Sequence, residues 1–173
     1  QTNGLMLTLD FNRCIASKSW GWQKRFNSAG GKGESPESFP DFTNPAASTW
    51  FWNLILTKGL APEKKYPGDA IWVDEFDALK LPDSKISFNG RPWEEIKNYY
   101  YFLIAKALVK NGWDVDIGES KRPFVWVRGM TAGGQRYATL LSGDISSYLM
   151  EMKNQIRAMQ SAGLSGFPFW GHD

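Results

Sequence analysis

The chain has 173 residues, with 20 Lys and Arg against 18 Asp and Glu, for a formal net charge of +2. That length holds one domain with a sizeable core. The basic residues form isolated pairs (Lys24–Arg25, Lys64–Lys65, Lys121–Arg122) rather than a stripe, which argues against a nucleic-acid or membrane surface, and no apolar run is long enough to span a bilayer.

In chain order, residues 4–11 (GLMLTLDF) read as a buried strand. Residues 16–46 are rich in Gly, Ser, Lys and Pro and read as a long loop ending in the turn chemistry of FPDFTNP (39–45). Asn44 before Pro45 has the pattern of an N-cap followed by Pro at the first helical position, which predicts a helix from Pro45 to Lys58 stopped by Gly59. Its apolar side is placed around Trp50 and Leu54. AIWV (70–73) is the next strand, and 76–92 a second long loop. Helical period then predicts a helix over 93–112, ended by Gly112. PFVWVRG (123–129) and RYATLLSG (136–143) read as strands, 145–163 as an amphipathic helix, and GFPFWG (166–171) as the start of a last strand.

Five of these apolar runs end on or just before a charged residue: Asp10, Asp74, Arg128, Asp144 and Asp173. Alternating strands and helices imply a parallel sheet. Nothing matches GxGxxG or GxxxxGK[ST], so a phosphate-binding doubly wound sheet or nucleotide enzyme lacks its loop. Charged residues at the carboxyl ends of strands favour an α/β barrel, whose active site gathers there. Two carboxylates on strand ends two strands apart, Asp74 and Asp144, face one barrel mouth. A retaining glycosidase needs such a pair about 5–5.5 Å apart, one as nucleophile and one as acid/base. Arg128, on the strand between them, is the cation expected to keep the nucleophile ionised. Burial and the negative neighbour are expected to hold a proton on Asp144. From position alone, both residues read first as ordinary loop-start Asp residues, N-caps or Arg partners.

Cys14 is the only cysteine and reads as a packed apolar residue. His172 is the only histidine, so the usual zinc ligands are missing, and neither a metal nor a cofactor is expected. Nine Trp, eleven Phe and six Tyr supply core mass, and Trp also stacks well on sugar faces. Strand alternation turns Glu75 away from Asp74 and gives it a packing or salt-bridge role.

FPDFTNP (39–45), IWVDEFD (71–77), RPFVWVRGMTAGGQRYATLLSGD (122–144) and GLSGFPFWGHD (163–173) resemble, in order, the successive motifs of glycoside hydrolase family 31, the α-glucosidase and α-xylosidase family. FNGRPWEEI (88–96) is similar to the helix that follows the nucleophile strand in some members. The resemblance implies a partial (β/α)₈ TIM barrel, roughly strands three to seven. Residues 1–173 are then a fragment of a single catalytic barrel domain. It implies retaining hydrolysis of an oligosaccharide or α-glycoside, with Asp74 as nucleophile, Asp144 as acid/base and Arg128 touching substrate hydroxyls and the nucleophile. Trp72 and Asp173 line the sugar subsite, Asp10 falls on a strand-end position, and His172 becomes a wall or hydrogen-bonding residue rather than a base.

The chain departs from the family at Glu75, Phe76 and Asp77, where many members read Met-Asn-Glu, in a Gly-Glu-Ser-Pro loop ahead of FPDFTNP, and at Ile145 after SGD. These changes leave the sugar open, and the sequence does not specify the linkage, the compartment or the oligomeric state. A transglycosylase shares the same intermediate, and a sugar-binding barrel without catalysis is the non-enzymatic alternative. An open partial barrel leaves sheet edges unpaired, so this segment alone is expected to be marginally stable or aggregation-prone, and inactive.

Overall fold

The computed structural model describes residues 8–12, 21–26, 35–56, 70–74, 76, 81–118 and 121–172. Cys14, Lys58, Gly59, Glu75, Asp77 and Asp173 lie outside them.

Five strands form one parallel sheet: β1 (Thr8–Asn12), β4 (Ala70–Asp74), β5 (Val125–Arg128), β6 (Thr139–Leu141) and β7 (Trp170–Gly171). They lie side by side in the order in which the chain makes them. A doubly wound sheet reverses direction at a switch point; this one does not. The sheet is therefore part of a barrel wall, as the strand-end pattern predicts. The connection from β5 to β6 is only a loop with a 3₁₀ turn at Gly134–Arg136, yet the two strands still pair in parallel.

The predicted loop over 16–46 contains structure that the sequence does not advertise. Strands β2 (Gly21–Phe26) and β3 (Ser35–Pro40) pair antiparallel, from Gly21 opposite Pro40 to Phe26 opposite Ser35. Neither segment alternates apolar and polar residues, and β3 holds two prolines. A ribbon of two edge strands tolerates Pro, because each strand has one side with no ladder to complete.

Helix α1 (Pro45–Ile55) starts where Asn44 predicts: the Asn44 side chain accepts from the Ala46 backbone N–H at 3.0 Å. Its buried side is Ala47, Ser48, Phe51, Trp52 and Ile55, about one residue round from the predicted centre on Trp50 and Leu54. The second helical stretch is interrupted. It comprises α2 (Trp93–Ile96), a 3₁₀ turn at Lys97–Tyr99, α3 (Tyr100–Leu108), a π-helical segment at Val109–Trp113 and α4 (Asp114–Asp116).

Gly112 does not stop this helix; it lets it approach α1. A Cβ at Gly112 would lie 2.2 Å from Trp52 Cδ2, so only Gly allows the indole to pack on the backbone. The widened π turn carries Trp113 against Trp52, with ring centroids 6.4 Å apart. Trp52 Nε1 also donates to Asp116.

The core lies between this helical layer and one face of the sheet. Ile71, Val73, Val125 and Val127 are buried there with Phe51, Ile55, Ile104 and Leu108. Each such side chain contributes about 1.5–3 kcal/mol by leaving water. Phe42, Phe51, Phe76 and Tyr100 form a linked aromatic cluster, with Phe42–Phe51 centroids 5.2 Å apart and edge to face. Burial pushes the Tyr100 phenol well above its ordinary pKa, and its hydroxyl donates to the Pro40 carbonyl at 2.5 Å. Helix α5 (Leu149–Leu164) begins four residues later than predicted.

Candidate active site

Alternation along β4 and β5 sorts their residues by chemistry. Ile71, Val73, Val125 and Val127 face the helices, while Trp72, Asp74, Trp126 and Arg128 are half-buried at the alternate positions. Trp72 pairs in register with Trp126, and their rings lie 5.5 Å apart at 34°. Trp126 Nε1 donates to the Leu140 carbonyl at 2.9 Å. Gly171 on β7 makes room for that indole: a Cβ there would lie 2.5 Å from Trp126 Cζ2. The indole N–H groups of Trp72 and Trp170 are buried with no acceptor among the described residues.

Two residues further along these strands, toward their carboxyl ends, the charged groups meet. Arg128 Nη1 donates to Asp74 Oδ1 at 3.1 Å and lies 3.6 Å from Asp144 Oδ2. Those two carboxyl oxygens can therefore be no farther apart than 3.1 and 3.6 Å laid end to end. That limit includes the ~5–5.5 Å separation of retaining glycosidases. The sheet order explains the meeting, since β5 lies between β4 and β6.

Gly143 fixes the guanidinium from the other side. It has φ +81°, and a Cβ on it would sit 2.7 Å from Arg128 Nε and 3.0 Å from Cδ. The SG of the SGD motif thus turns the chain tightly over Arg128 and delivers Asp144 beside it.

The structure corrects one expectation here. The Asp144 side chain is 80% exposed, whereas Asp74 is 14% exposed and Arg128 22%. Asp144 stands on the loop past the end of β6, and the described residues leave its side chain largely in the open. Asp74 is the enclosed member of the pair.

The other predicted residues are placed as follows. β1 continues past Asp10, which pairs in register with Trp72; Asn12 is the residue opposite Asp74. The strand thus ends one residue beyond the predicted 4–11 segment, and Asp10 lies two residues before its end. His172 is exposed just after β7 and borders a ≈ 430 Å³ groove with Ser146, Tyr148 and Met152. Asp173, Glu75 and Asp77 lie outside the described residues.

Two features escape the sequence reading. Asp41 of FPDFTNP is buried, and its carboxylate accepts from Thr43 N at 3.0 Å, Thr43 Oγ1 at 2.7 Å and Phe88 N at 2.7 Å. It ties this turn to the loop that leads from β4 to α2. The second is a ≈ 540 Å³ cavity at the β5–β6 end of the sheet, lined by Arg128, Ser142 and Asp144 together with Lys97, Asn98 and Tyr101. The break between α2 and α3 presents Lys97 and Asn98; a continuous helical period hides such a break.

A family profile described as the glycosyl hydrolases family 31 TIM-barrel domain matches residues 7–173. Neutral alpha-glucosidase AB of Homo sapiens is 29% identical over 140 residues, covering 78% of this chain and 15% of its own length. Alpha-xylosidase of Emericella nidulans is 28% identical over 137 residues, covering 77% of this chain and 16% of its own. The chain thus spans less than a fifth of these relatives. Among solved structures, a DNJ-bound glucosidase II alpha subunit superposes with a TM-score of 0.78 at 19% identity, over 98% of this chain and 20% of the other. A GH31 alpha-xylosidase from a soil metagenome, complexed with xylose, gives 0.76 at 22% identity, over 98% and 26%. At those identities the superpositions establish the fold.

Proposed function

This chain belongs to glycosyl hydrolases family 31, and we propose that residues 1–173 are a segment of a single catalytic barrel domain that cleaves α-glycosides with retention. Asp74 attacks the anomeric carbon. Asp144 gives its proton to the departing glycosidic oxygen, and a glycosyl ester forms on Asp74. Asp144, now a carboxylate, takes a proton from the water that attacks the same carbon and frees Asp74. Arg128 orients the Asp74 carboxylate through a charge-assisted hydrogen bond and holds positive charge between the two acids.

One observation carries this reading: a single guanidinium nitrogen within reach of both carboxylates, at the ends of β4 and β6. Trp72 supplies an apolar ring beside Asp74, and Asp10, His172 and Asp173 are read as parts of the sugar-binding wall. The named relatives support a glucoside or xyloside substrate. The exposed Asp144 needs cover to hold a proton at neutral pH; in this reading the rest of the barrel provides it, and the 173-residue chain alone is inactive.

The test uses protein carrying the whole barrel. Asp74→Ala abolishes turnover of an aryl α-glycoside and covalent labelling by a mechanism-based glycosyl fluoride. NMR of the wild-type reaction shows the α-anomer as first product. Undiminished labelling of the variant, or a β-anomer formed first, rejects the assignment.

A further inference from the structure

Trp126 of β5 is half-buried on the face of the sheet turned away from the helical layer. Its side chain meets three other strands. It pairs in register with Trp72 of β4, and the two rings lie 5.5 Å apart at 34°. Its Nε1 donates to the Leu140 carbonyl of β6 at 2.9 Å. Its far edge reaches β7, where a Cβ on Gly171 would lie 2.5 Å from Cζ2 and 3.4 Å from Nε1. The indole thus bridges β4 to β7 just beneath the charged groups, since Trp72 is two residues before Asp74 and Trp126 two before Arg128. We propose that Trp126 is a positioning residue for the sugar site, setting the Trp72 ring on one side and the Gly171–His172 backbone on the other; the proposal rests on the roles given above to Asp74, Trp72 and His172.

The Trp72 indole N–H has no acceptor among the described residues, so packing rather than a hydrogen bond orients that ring, and Trp126 is an aromatic ring it packs on. Trp126 is fixed from two directions. The hydrogen bond to Leu140 sets the tilt of its plane, and the missing side chain of Gly171 leaves room for its far edge. Side chains from neighbouring strands fill a barrel interior in layers, and filling alone would accept any apolar group of similar volume. The indole N–H and the bare Gly171 Cα instead select one ring in one orientation. Displacing it moves both Trp72 and the start of the β7 wall. Neither changes its place as the bond breaks, so the loss falls on the ground state and the transition state alike and is read in KM.

The experiment uses protein carrying the whole barrel and reads KM and kcat on 4-nitrophenyl α-glucoside or α-xyloside, whichever the wild type turns over. Trp126→Leu raises KM about tenfold while kcat changes less than about threefold. Gly171→Ala, whose methyl displaces the indole, raises KM by a similar factor. Adding Trp126→Phe to Gly171→Ala makes room for that methyl and keeps an aromatic face against Trp72. KM then returns to within about threefold of wild type, so the two substitutions offset each other instead of adding. Unfolded molecules do not contribute to KM, so a merely structural role lowers yield and melting midpoint and leaves KM unmoved. If Trp126→Leu does not fold, the Gly171 variants carry the test. KM within about twofold of wild type in every folded variant, or a double variant no better than Gly171→Ala, overturns the proposal. Labelling of the wild-type protein by a glycosyl fluoride separates the two levels. Absent labelling sinks the catalytic reading and this proposal with it, and labelling with an unmoved KM sinks only the role of Trp126.

Discussion

The α3 and α5 regions pack in opposite ways. Tyr100, Tyr101, Ile104, Ala105, Ala107 and Leu108 of α3 are buried between the sheet and α1. Helix α5 is longer and carries its own apolar stripe at helical spacing, yet none of its residues is buried. Leu149, Met152, Ile156 and Met159 lie on that stripe, three or four residues apart, and are 45–70% exposed. Periodicity reports which face of a helix favours burial. Whether that face is covered depends on neighbours that the helix's own residues do not encode. The two acids divide along the same line: Asp74 ends a strand of the dense region, and Asp144 leads toward α5 from the open one.

The largest effect belongs to the dense side. Trp52 is 2% exposed, packs on Trp113, lies against the Gly112 backbone and donates to Asp116. Trp52→Ala leaves a cavity and an unpaired carboxylate, and costs about 3–5 kcal/mol. Amide exchange in residues 45–55 and 100–116 accelerates first. Protection that survives the substitution would mean that the two helices are held by something other than this contact.

Gly143→Ala acts where the two sides meet. The added Cβ collides with Arg128 Nε, and φ of +81° is strained for Ala. In protein carrying the whole barrel, and if Arg128 has the role proposed above, shifting the guanidinium by about 1 Å lowers kcat/KM roughly 10²-fold, or about 2.7 kcal/mol in the transition state. Turnover measured alongside the melting midpoint decides the point. A drop in stability with full activity would show that the turn is structural and that Arg128 does not depend on it.

Much of this arrangement is legible in the residues. Apolar runs ending in charges point to strand ends at one mouth, and the parallel pairing of the strands fits that for Asp74, Arg128 and Asp144. The Asn44–Pro45 start of α1 is equally plain, because capping is local chemistry. The pairing of β2 with β3 is not, since neither strand alternates apolar and polar residues and β3 carries both prolines. Gly112 reads as a helix stop, but its role is set by the Trp52 ring, sixty residues away in the chain. Asn98 is hidden for a related reason: only the irregular turn at Lys97–Tyr99 brings it to the cavity. The exposure of Asp144 depends on cover, which no local motif records.

The smallest effect is on the open side, and it tests the comparison most directly. If the α5 stripe has no partner within this chain, replacing it removes almost no packing. Met152→Gln and Ile156→Gln each change the unfolding free energy of the 173-residue chain by less than about 0.5 kcal/mol, as exposed substitutions do. The two substitutions combined lower binding of a hydrophobic dye and raise the concentration at which the chain self-associates, because exposed apolar area drives both. Equilibrium urea unfolding and sedimentation on one preparation give the two readouts. A loss of about 2 kcal/mol or more, of the size that buried side chains produce, would place the stripe in a packed interface and remove the contrast with α3.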